Sequence, residues 1–185
     1  MTNSPCLSIA VSEEKLGDTA PVLFQDGIID GMRRAAALGY TGVETHVRNP
    51  AALDAAAIRE EAEKLGISVS AVGTGLEYSL NNLCFTSPDA AIRRKAAERF
   101  KDHIDLAKEL SGVVFVGLCR GTAPDFSSRE AYLELFAKEI LPVQEYADKA
   151  GVVLVLEPIA SYMTNLLNTT DECLEFIKRP GFGKM

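Results

Sequence analysis

The chain has 185 residues, of which 47% are hydrophobic and 24% are charged, and its net charge is −7. This profile indicates one globular domain over residues 1–185 and excludes a disordered or fibrous chain. The acidic balance argues against a nucleic-acid partner, because binding phosphate groups requires a surplus of Lys and Arg.

Three further features exclude a membrane protein and a secreted one. No apolar run reaches the roughly 18 residues that a membrane span requires. Residues 1–5 lack the basic segment of a secretory signal. The cysteines are far apart and include no C-x-x-C pair, which favours free thiols over disulfides or a zinc site. The sequence therefore predicts a cytoplasmic protein with no membrane contact.

A helix-to-strand junction recurs along the chain. Four times, a helical stretch ends in Gly and is followed at once by a β-branched segment. A Gly just past a helix is predicted to adopt the left-handed conformation, and a weak long repeat is typical of stacked units. The glycines are Gly39, Gly66, Gly112 and Gly151, and the segments after them are 40–45, 67–73, 113–118 and 152–157.

The predicted strands are mostly continuous apolar runs, as at 7–11, 113–118 and 152–156. Such runs are typical of strands buried on both faces in a parallel sheet covered by helices. Strands that alternate with helices predict right-handed βαβ units. We therefore expect about five parallel βα units, with strands near residues 7, 41, 67, 113 and 152.

The helices carry recognisable start signals. The first, about 24–38, is interrupted by Gly27 and Gly31. Ser87 and Pro88 are predicted to be the N-cap and first residue of the next long helix. The segments 127–130 (Ser-Ser-Arg-Glu) and 169–172 (Thr-Thr-Asp-Glu) have the form of capping boxes and predict two more helices.

Two architectures accommodate five parallel units, an open doubly wound sheet and part of a barrel. An open nucleotide-binding sheet places a Gly-rich turn after its first strand, but residues 12–17 read Ser-Glu-Glu-Lys-Leu-Gly. A full barrel has eight units in about 250 residues. The predicted fold class is therefore α/β, a partial TIM (β/α)8-type barrel.

Candidate site residues follow the strands, because active sites of such barrels lie at the carboxyl ends of the strands. Glu157 ends an apolar run and precedes Pro158. A carboxylate there can bind a hard divalent cation or transfer a proton, or it can be a structural partner of a nearby Arg or Lys. Position favours the functional interpretation.

Four other residues occupy strand ends. Glu44 and His46 follow the second strand, and Thr74 lies between two glycines after the third. Arg120, which precedes Gly121, is suited to hold an anionic or polyhydroxyl substrate, or to pair with a mouth carboxylate. Glu44 can equally orient a loop. A lone His such as His46 is more often a satisfied loop residue than a ligand or substrate contact.

Two residues are predicted to have no chemical role. His103 lies in the middle of a helix beside charged residues and is expected at the solvated surface. Cys119 has no basic neighbour in sequence and is expected to be a packed thiol.

Four segments resemble the sugar phosphate isomerase/epimerase family of xylose isomerase-like barrels, which includes ketose 3-epimerases and hydroxypyruvate isomerases. They are 39–44 (GYTGVE), 86–112, 113–121 (VVFVGLCRG) and 152–169 (VVLVLEPIASYMTNLLNT). The E-P…Y-x-T-N…N-T string is the most specific part.

The resemblance implies an isomerase that acts on a small sugar or sugar phosphate with one divalent cation of Mn, Mg or Co type. In the family, a Glu of strand five, an Asp of strand six, a His of strand seven and a Glu of strand eight hold the ion. The two glutamates move a proton through an enediolate of a ketose. Glu157 matches the first Glu, as catalytic residue and metal ligand. The predicted substrate-binding residues are Glu44, His46, Thr74, Arg120 and Asn165.

The sequence departs from the family pattern in two ways. Residues 160–161 are Ala-Ser where relatives often have Asn-Arg, and the other three ligands would lie beyond Met185. The chain is therefore expected to be a fragment of a longer protein, or a truncated half-barrel that is not catalytic. Such a half-barrel has two free sheet edges, which favour association with another chain or a second copy.

A nuclease related to DNA-repair AP endonucleases is a third interpretation. That branch adds histidine zinc ligands after strands three and four, and neither 73–75 nor 117–121 contains His. The acidic balance also opposes it.

Overall fold

The computed structural model describes residues 6–18 and 20–185. Its five strands form one parallel sheet in which each strand pairs only with its neighbours in sequence. The strands are β1 (Ser8–Ser12), β2 (Gly42–His46), β3 (Ser68–Gly73), β4 (Val113–Val116) and β5 (Leu154–Leu156). The predicted α/β partial barrel of five parallel units is confirmed.

Helices separate the strands and continue the chain after β5. The short helix α3 was not predicted, because its five residues carry no periodic signal. The helices are α1 (Ile28–Ala37), α2 (Ala55–Leu65), α3 (Gly75–Ser79), α4 (Ala90–Leu110), α5 (Arg129–Ala150) and α6 (Thr170–Ile177). None of them, in the described ranges, is both long and apolar enough to cross a bilayer. The prediction that residues 1–5 lack the basic segment of a secretory signal concerns a part of the chain that lies outside the described residues.

The apolar core lies between the sheet and the helices. Val43, Val72, Val114 and Leu154 are fully buried there, each from a different strand. Three phenylalanines continue the core among the helices, and one pair of their rings packs edge to face with centroids 4.9 Å apart. These rings belong to Phe85, Phe100 and Phe136.

The helix-to-strand junctions end as predicted in three of the four cases. Gly66 and Gly151 cap α2 and α5 with left-handed backbone, at φ of 65° and 76°, and Gly39 just past α1 also has positive φ, at 87°. At the end of α4, however, Ser111 takes the left-handed conformation, with φ of 58°, and not Gly112. Gly112 is needed for another reason, since a Cβ there would lie 3.2 Å from the carbonyl oxygen of Val69.

One of the two predicted capping boxes is confirmed. The Thr169 hydroxyl accepts from the Glu172 backbone N–H, and the Glu172 carboxylate accepts from the Thr169 N–H, each at 3.2 Å. The other is wrong. The hydroxyls of Ser127 and Ser128 donate to the carboxylate of Asp125, at 2.7 and 2.9 Å, so neither caps α5. A charged acceptor two or three residues away competes successfully with the helix backbone.

Two other helix starts lie later than predicted. Helix α4 is capped by Asp89, whose carboxylate accepts from the Ala91 N–H at 2.7 Å, and not by Ser87. The Ser87 hydroxyl instead accepts from the Asp89 N–H at 3.2 Å. Helix α1 begins at Ile28 because Gly27, with φ of 108°, is not helical.

The edge of the sheet at β5 has no further strand paired to it among the described residues and is partly exposed. Val153 beside β5 is 46% exposed and Leu174 of α6 is 49% exposed. Both border an apolar cavity of about 300 Å³, which Ile177 and Met185 also line. The edge strand therefore offers apolar surface as well as free backbone groups.

Candidate active site

Two predicted site residues lie together on β2. Glu44 and His46 are two positions apart and therefore point to the same face of the strand. They pair with Ala71 and Gly73 of β3 after an irregularity in register. This face is opposite to the one on which Val43 is buried against the helices.

Glu157 lies on the same face, at the end of β5. Its backbone amide donates to the carbonyl of Val116 at 3.3 Å, so the hydrogen bonding to β4 continues one residue beyond β5. A Cβ added to Gly117 would lie 2.8 Å from Oε2 of Glu157, so the carboxylate lies directly over the backbone of Gly117.

Two glycines make room for the side chains of Glu157 and His46. Gly73 leaves room for the His46 side chain, just as Gly117 does for Glu157. A Cβ at Gly73 would lie 3.2 Å from Cε1 and Nδ1 of the imidazole. Gly73 is the last residue of β3, and Gly117 directly follows β4. The absence of side chains at both glycines thus shapes the candidate site, and the sequence alone does not indicate this.

The side chains of Glu157, Glu44 and His46 interact electrostatically. Nε2 of His46 lies 2.8 Å from Oε1 of Glu44. Burial of the carboxylate raises the pKa of Glu157, the positive charge of Arg120 opposes this, and the charge of Glu44 raises the pKa further. The structure therefore brings Glu157, Glu44 and His46 into one cluster at the carboxyl ends of the strands.

Thr74 and Asn165 are engaged within the protein. The buried Thr74 hydroxyl donates to the carbonyl of Phe115 at 2.8 Å. The Asn165 side chain accepts from the Ala123 N–H at 2.9 Å and donates to the Ala123 carbonyl at 3.0 Å, and it also accepts from the Thr122 hydroxyl. We assign both side chains a structural role in place of the predicted substrate contact.

Arg120 is fully buried, and its donors are also engaged within the protein. Its five N–H groups donate to backbone carbonyls only, at the ends of β4 and β5 and in the loop before α6. The acceptors are the carbonyl oxygens of Val116, Gly117, Glu157, Leu166 and Leu167. The guanidinium thus joins two strand ends to one loop and offers no donor to a ligand.

His103 was predicted at the surface, and this is wrong, because the side chain is fully buried. Its Nε2 lies 3.2 Å from Oε1 of Glu77, which also accepts from Nε of Arg99 at 2.8 Å. Asn81 donates to the other oxygen of Glu77 at 2.7 Å. Glu77 belongs to α3, a helix that the sequence does not predict, so the sequence does not indicate the partner of His103.

The Glu77 cluster reaches the loops that surround the strand ends. Arg99 also donates to the carbonyl of Arg48 at 2.7 Å and to the side chain of Asn49 at 2.8 Å. The Arg48 N–H donates to the carboxylate of Glu13 at 2.9 Å. Loops after β1, β2 and β3 are therefore linked through one buried carboxylate. The four-residue spacing of Arg99 and His103 on α4 was the only sequence signal for it.

The cysteines are free thiols, as predicted. Cys119 is buried, its sulfur donates to the carbonyl of Thr74 at 3.3 Å, and burial raises the pKa of the thiol. It is therefore packed and unreactive, as expected.

The described residues do not form a metal centre. They contain no group of three or more His, Cys, Asp or Glu side chains that could hold a metal ion. Glu157 is the one residue that matches the ligand set implied by the resemblance. One carboxylate is an incomplete set of ligands for a divalent cation, which takes six or more oxygens.

The comparisons with known proteins agree with the fold. Residues 32–181 match the family described as the xylose isomerase-like TIM barrel. The L-ribulose 3-epimerase of Mesorhizobium japonicum is 27% identical over 146 residues, which are 77% of this chain and 48% of that protein. The L-ribulose 3-epimerase of a Methylomonas species is 30% identical over 151 residues, 77% of this chain and 49% of that protein. The chain spans about half the length of these curated relatives.

A solved structure has the same fold. The D-psicose 3-epimerase of Clostridium cellulolyticum H10, determined with D-tagatose, superposes with a TM-score of 0.71 at 19% identity, over 94% of this chain and 59% of that one. The match over residues 32–181 and the sequential parallel sheet lead to one conclusion. The chain belongs to the xylose isomerase-like TIM barrel family.

Proposed function

We propose that this chain supplies part of the active site of a ketose 3-epimerase, and that Glu157 is its proton-transferring carboxylate. The observation that carries the proposal is the placement of the Glu157 carboxylate over Gly117, at the strand ends and beside Glu44 and His46. The similarity to L-ribulose 3-epimerases supports the reaction class.

The chemistry follows from the position of the reacting hydrogen. In a ketose, the C3–H bond is next to the C2 carbonyl, so removal of that proton moves the bonding electrons into an enediolate. Return of a proton to the opposite face inverts C3. A carboxylate whose pKa is raised towards the working pH is a better general base, and Glu157 has a raised pKa. One carboxylate serves one face of the sugar.

Glu44 and His46 are proposed to bind hydroxyl groups of the sugar. Their side chains are 29% and 22% exposed, so both reach solvent at the mouth. The carboxylate accepts and the imidazole can donate or accept, which suits the hydroxyls of a free sugar or a sugar phosphate.

A divalent cation of Mn, Mg or Co type is part of the proposal through the resemblance, with Glu157 as one ligand. Because the described residues contain no other matched ligand, no step of the reaction is assigned to the ion. We also propose a cytoplasmic location, supported by the free thiols. The partly exposed edge at β5 supports association with another chain or a second copy.

The test compares two proteins. One is the 185-residue chain, and the other, called here the extended protein, carries the portion of the Methylomonas L-ribulose 3-epimerase that lies beyond the match. Each is titrated with Mn²⁺ by calorimetry and assayed for 3-epimerisation of L-ribulose and D-allulose. We expect weak Mn²⁺ binding and no turnover by the chain alone, and both properties in the extended protein.

Controls separate the outcomes. The added portion by itself should be inactive. An extended protein that folds but does not turn over would contradict the epimerase proposal and favour a non-catalytic half-barrel. Equal Mn²⁺ affinity and equal turnover for the short chain and the extended protein would show that the missing ligands lie within residues 1–185.

Gly117→Ala should reduce activity without reducing stability. The new methyl group would meet Oε2 of Glu157 at 2.8 Å, and that atom is the end of a flexible side chain, so the fold can yield while the carboxylate moves. A displacement of about 1 Å at a reacting group can cost up to about 100-fold in rate. We expect at least tenfold slower turnover by the extended protein, with an unchanged midpoint of thermal unfolding. A stability loss that accounts for the lost activity would contradict this.

A further inference from the structure

Arg120 is unusual because a buried guanidinium normally meets a carboxylate. Burial of a charged group is unfavourable unless every donor is satisfied. Here all five donors are satisfied, and all by backbone carbonyls, among them the carbonyl of Glu157 itself. The contacts to Gly117 and Leu167 are 2.9 and 3.0 Å long.

The bonded segments are those that set the position of Glu157. Val116 is the last residue of β4 and Gly117 follows it, and the Glu157 carboxylate lies over Gly117. Leu166 and Leu167 belong to the loop that leads from Glu157 to α6. The guanidinium therefore fixes the backbone of Glu157, the surface beneath its carboxylate and the loop that follows.

Leu167 provides a second, independent observation. It is one of three non-glycine residues with positive φ in the described ranges, at 56°. A branched side chain in that conformation is strained and persists only where neighbouring contacts hold it. The Leu167 carbonyl accepts from Arg120 at 3.0 Å and from the Ile159 N–H at 3.3 Å. Arg120 thus holds a strained loop closed against the strand end.

We infer that Arg120 is a positioning residue, whose guanidinium holds the backbone of Glu157 and the 157–168 loop so that the carboxylate stays at the mouth. The inference rests on the proposed function of Glu157. It replaces the substrate contact expected from the sequence with an action through the backbone.

The test uses hydrogen exchange on the full 185-residue chain and two variants. Arg120→Met removes all five donors, and Arg120→Lys keeps the charge but offers at most three. We expect exchange in 157–168 to rise at least about tenfold in Arg120→Met and by an intermediate amount in Arg120→Lys, while β1–β3 stay protected. A uniform rise over the whole chain, or no rise in 157–168, would overturn the inference.

Arg93→Lys is the matched control. Arg93 also donates to two carbonyls, of Ser87 and Pro88, and to Glu139, but to nothing in 157–168. It should leave exchange in that loop unchanged. If Arg93→Lys loosens the loop as much as Arg120→Lys does, the positioning role is refuted.

A measurement on the unmodified chain covers the case in which neither Arg120 variant folds. The Nε–H of Arg120 and the amides of Glu157 and Ile159 should open together in native-state exchange, with one common opening equilibrium. Separate openings would contradict the inference.

In the extended protein, Arg120→Lys should lower kcat at least about tenfold with a KM changed less than about twofold, because a misplaced base slows the chemical step. An unchanged kcat would overturn the inference. If the unmodified extended protein is inactive, the proposed function fails, and the exchange results still decide the role of Arg120.

Discussion

Glu157→Gln is expected to slow 3-epimerisation by the extended protein about 10²–10⁴-fold, because the amide cannot take up the C3 proton. The amide matches the carboxylate in size, so its contact with Gly117 is preserved. The protein should remain folded. The rate is measured by steady-state kinetics of the purified variant. Circular dichroism establishes that the variant is folded.

Glu175→Gln provides the control for this result. Glu175 is a surface carboxylate of α6, 74% exposed, and its ion pair is with Lys178. Its neutralisation should leave turnover unchanged. Full activity of Glu157→Gln, or an equal loss in both variants, would show that Glu157 is not the proton-transferring group.

Glu77→Ala is expected to lower the free energy of unfolding of the chain by about 3–5 kcal/mol, the range for breaking a buried ion pair. The carboxylate is 1% exposed and accepts from Arg99, His103 and Asn81. Its removal leaves three buried or half-buried donors without an acceptor. Urea unfolding at pH 7 of the chain and the variant gives the difference.

The same residue predicts a pH dependence. Burial by itself raises the pKa of Glu77, but hydrogen bonds from His103 and Asn81 and the charges of His103 and Arg99 outweigh it, so the pKa is lowered from 4.5. A group whose pKa is lower in the folded state stabilises the protein above its ordinary pKa. That contribution is lost as the pH falls through the lower folded value. Below about pH 4.5, the unmodified chain should therefore lose more stability than Glu77→Ala.

Glu109→Ala is the matched control for burial. Glu109 pairs with Arg59 at 3.2 Å, but its side chain is 57% exposed. An exposed pair contributes about 0–1 kcal/mol, so this variant should unfold almost as the unmodified chain does. If Glu77→Ala and Glu109→Ala lower the free energy of unfolding equally, the buried Glu77 cluster contributes no more to stability than an exposed ion pair.

The sequence was sufficient to predict those elements that depend on neighbouring residues. The left-handed ends at Gly66 and Gly151 and the capping box at Thr169 arise within one helical turn, and they occur as predicted. The parallel strands are equally local in origin, because each is a continuous apolar run after a helix. Glu157 was placed by the same reasoning.

The errors occurred where distant residues decide the outcome. His103 is buried because Glu77 comes from 26 residues earlier in the chain. Arg120 turns inward because the carbonyls of Leu166 and Leu167 lie 46 and 47 residues later. The roles of Gly73 and Gly117, as space for His46 and Glu157, likewise depend on contacts across strands. Apart from the four-residue spacing of Arg99 and His103 on α4, no spacing along the chain indicates such partners.

The sequential strand order also determines how the chain can be made. Each strand pairs only with the one synthesised just before or after it, so every finished βα unit can dock on an edge that already exists while the ribosome continues. The two longest waits come after β3 and after β4, because α4 with 21 residues and α5 with 22 must be translated before the next strand arrives. During each interval the edge of the last finished strand is open to neighbouring nascent chains, so these are the stages of synthesis at which an unpaired edge is exposed for longest.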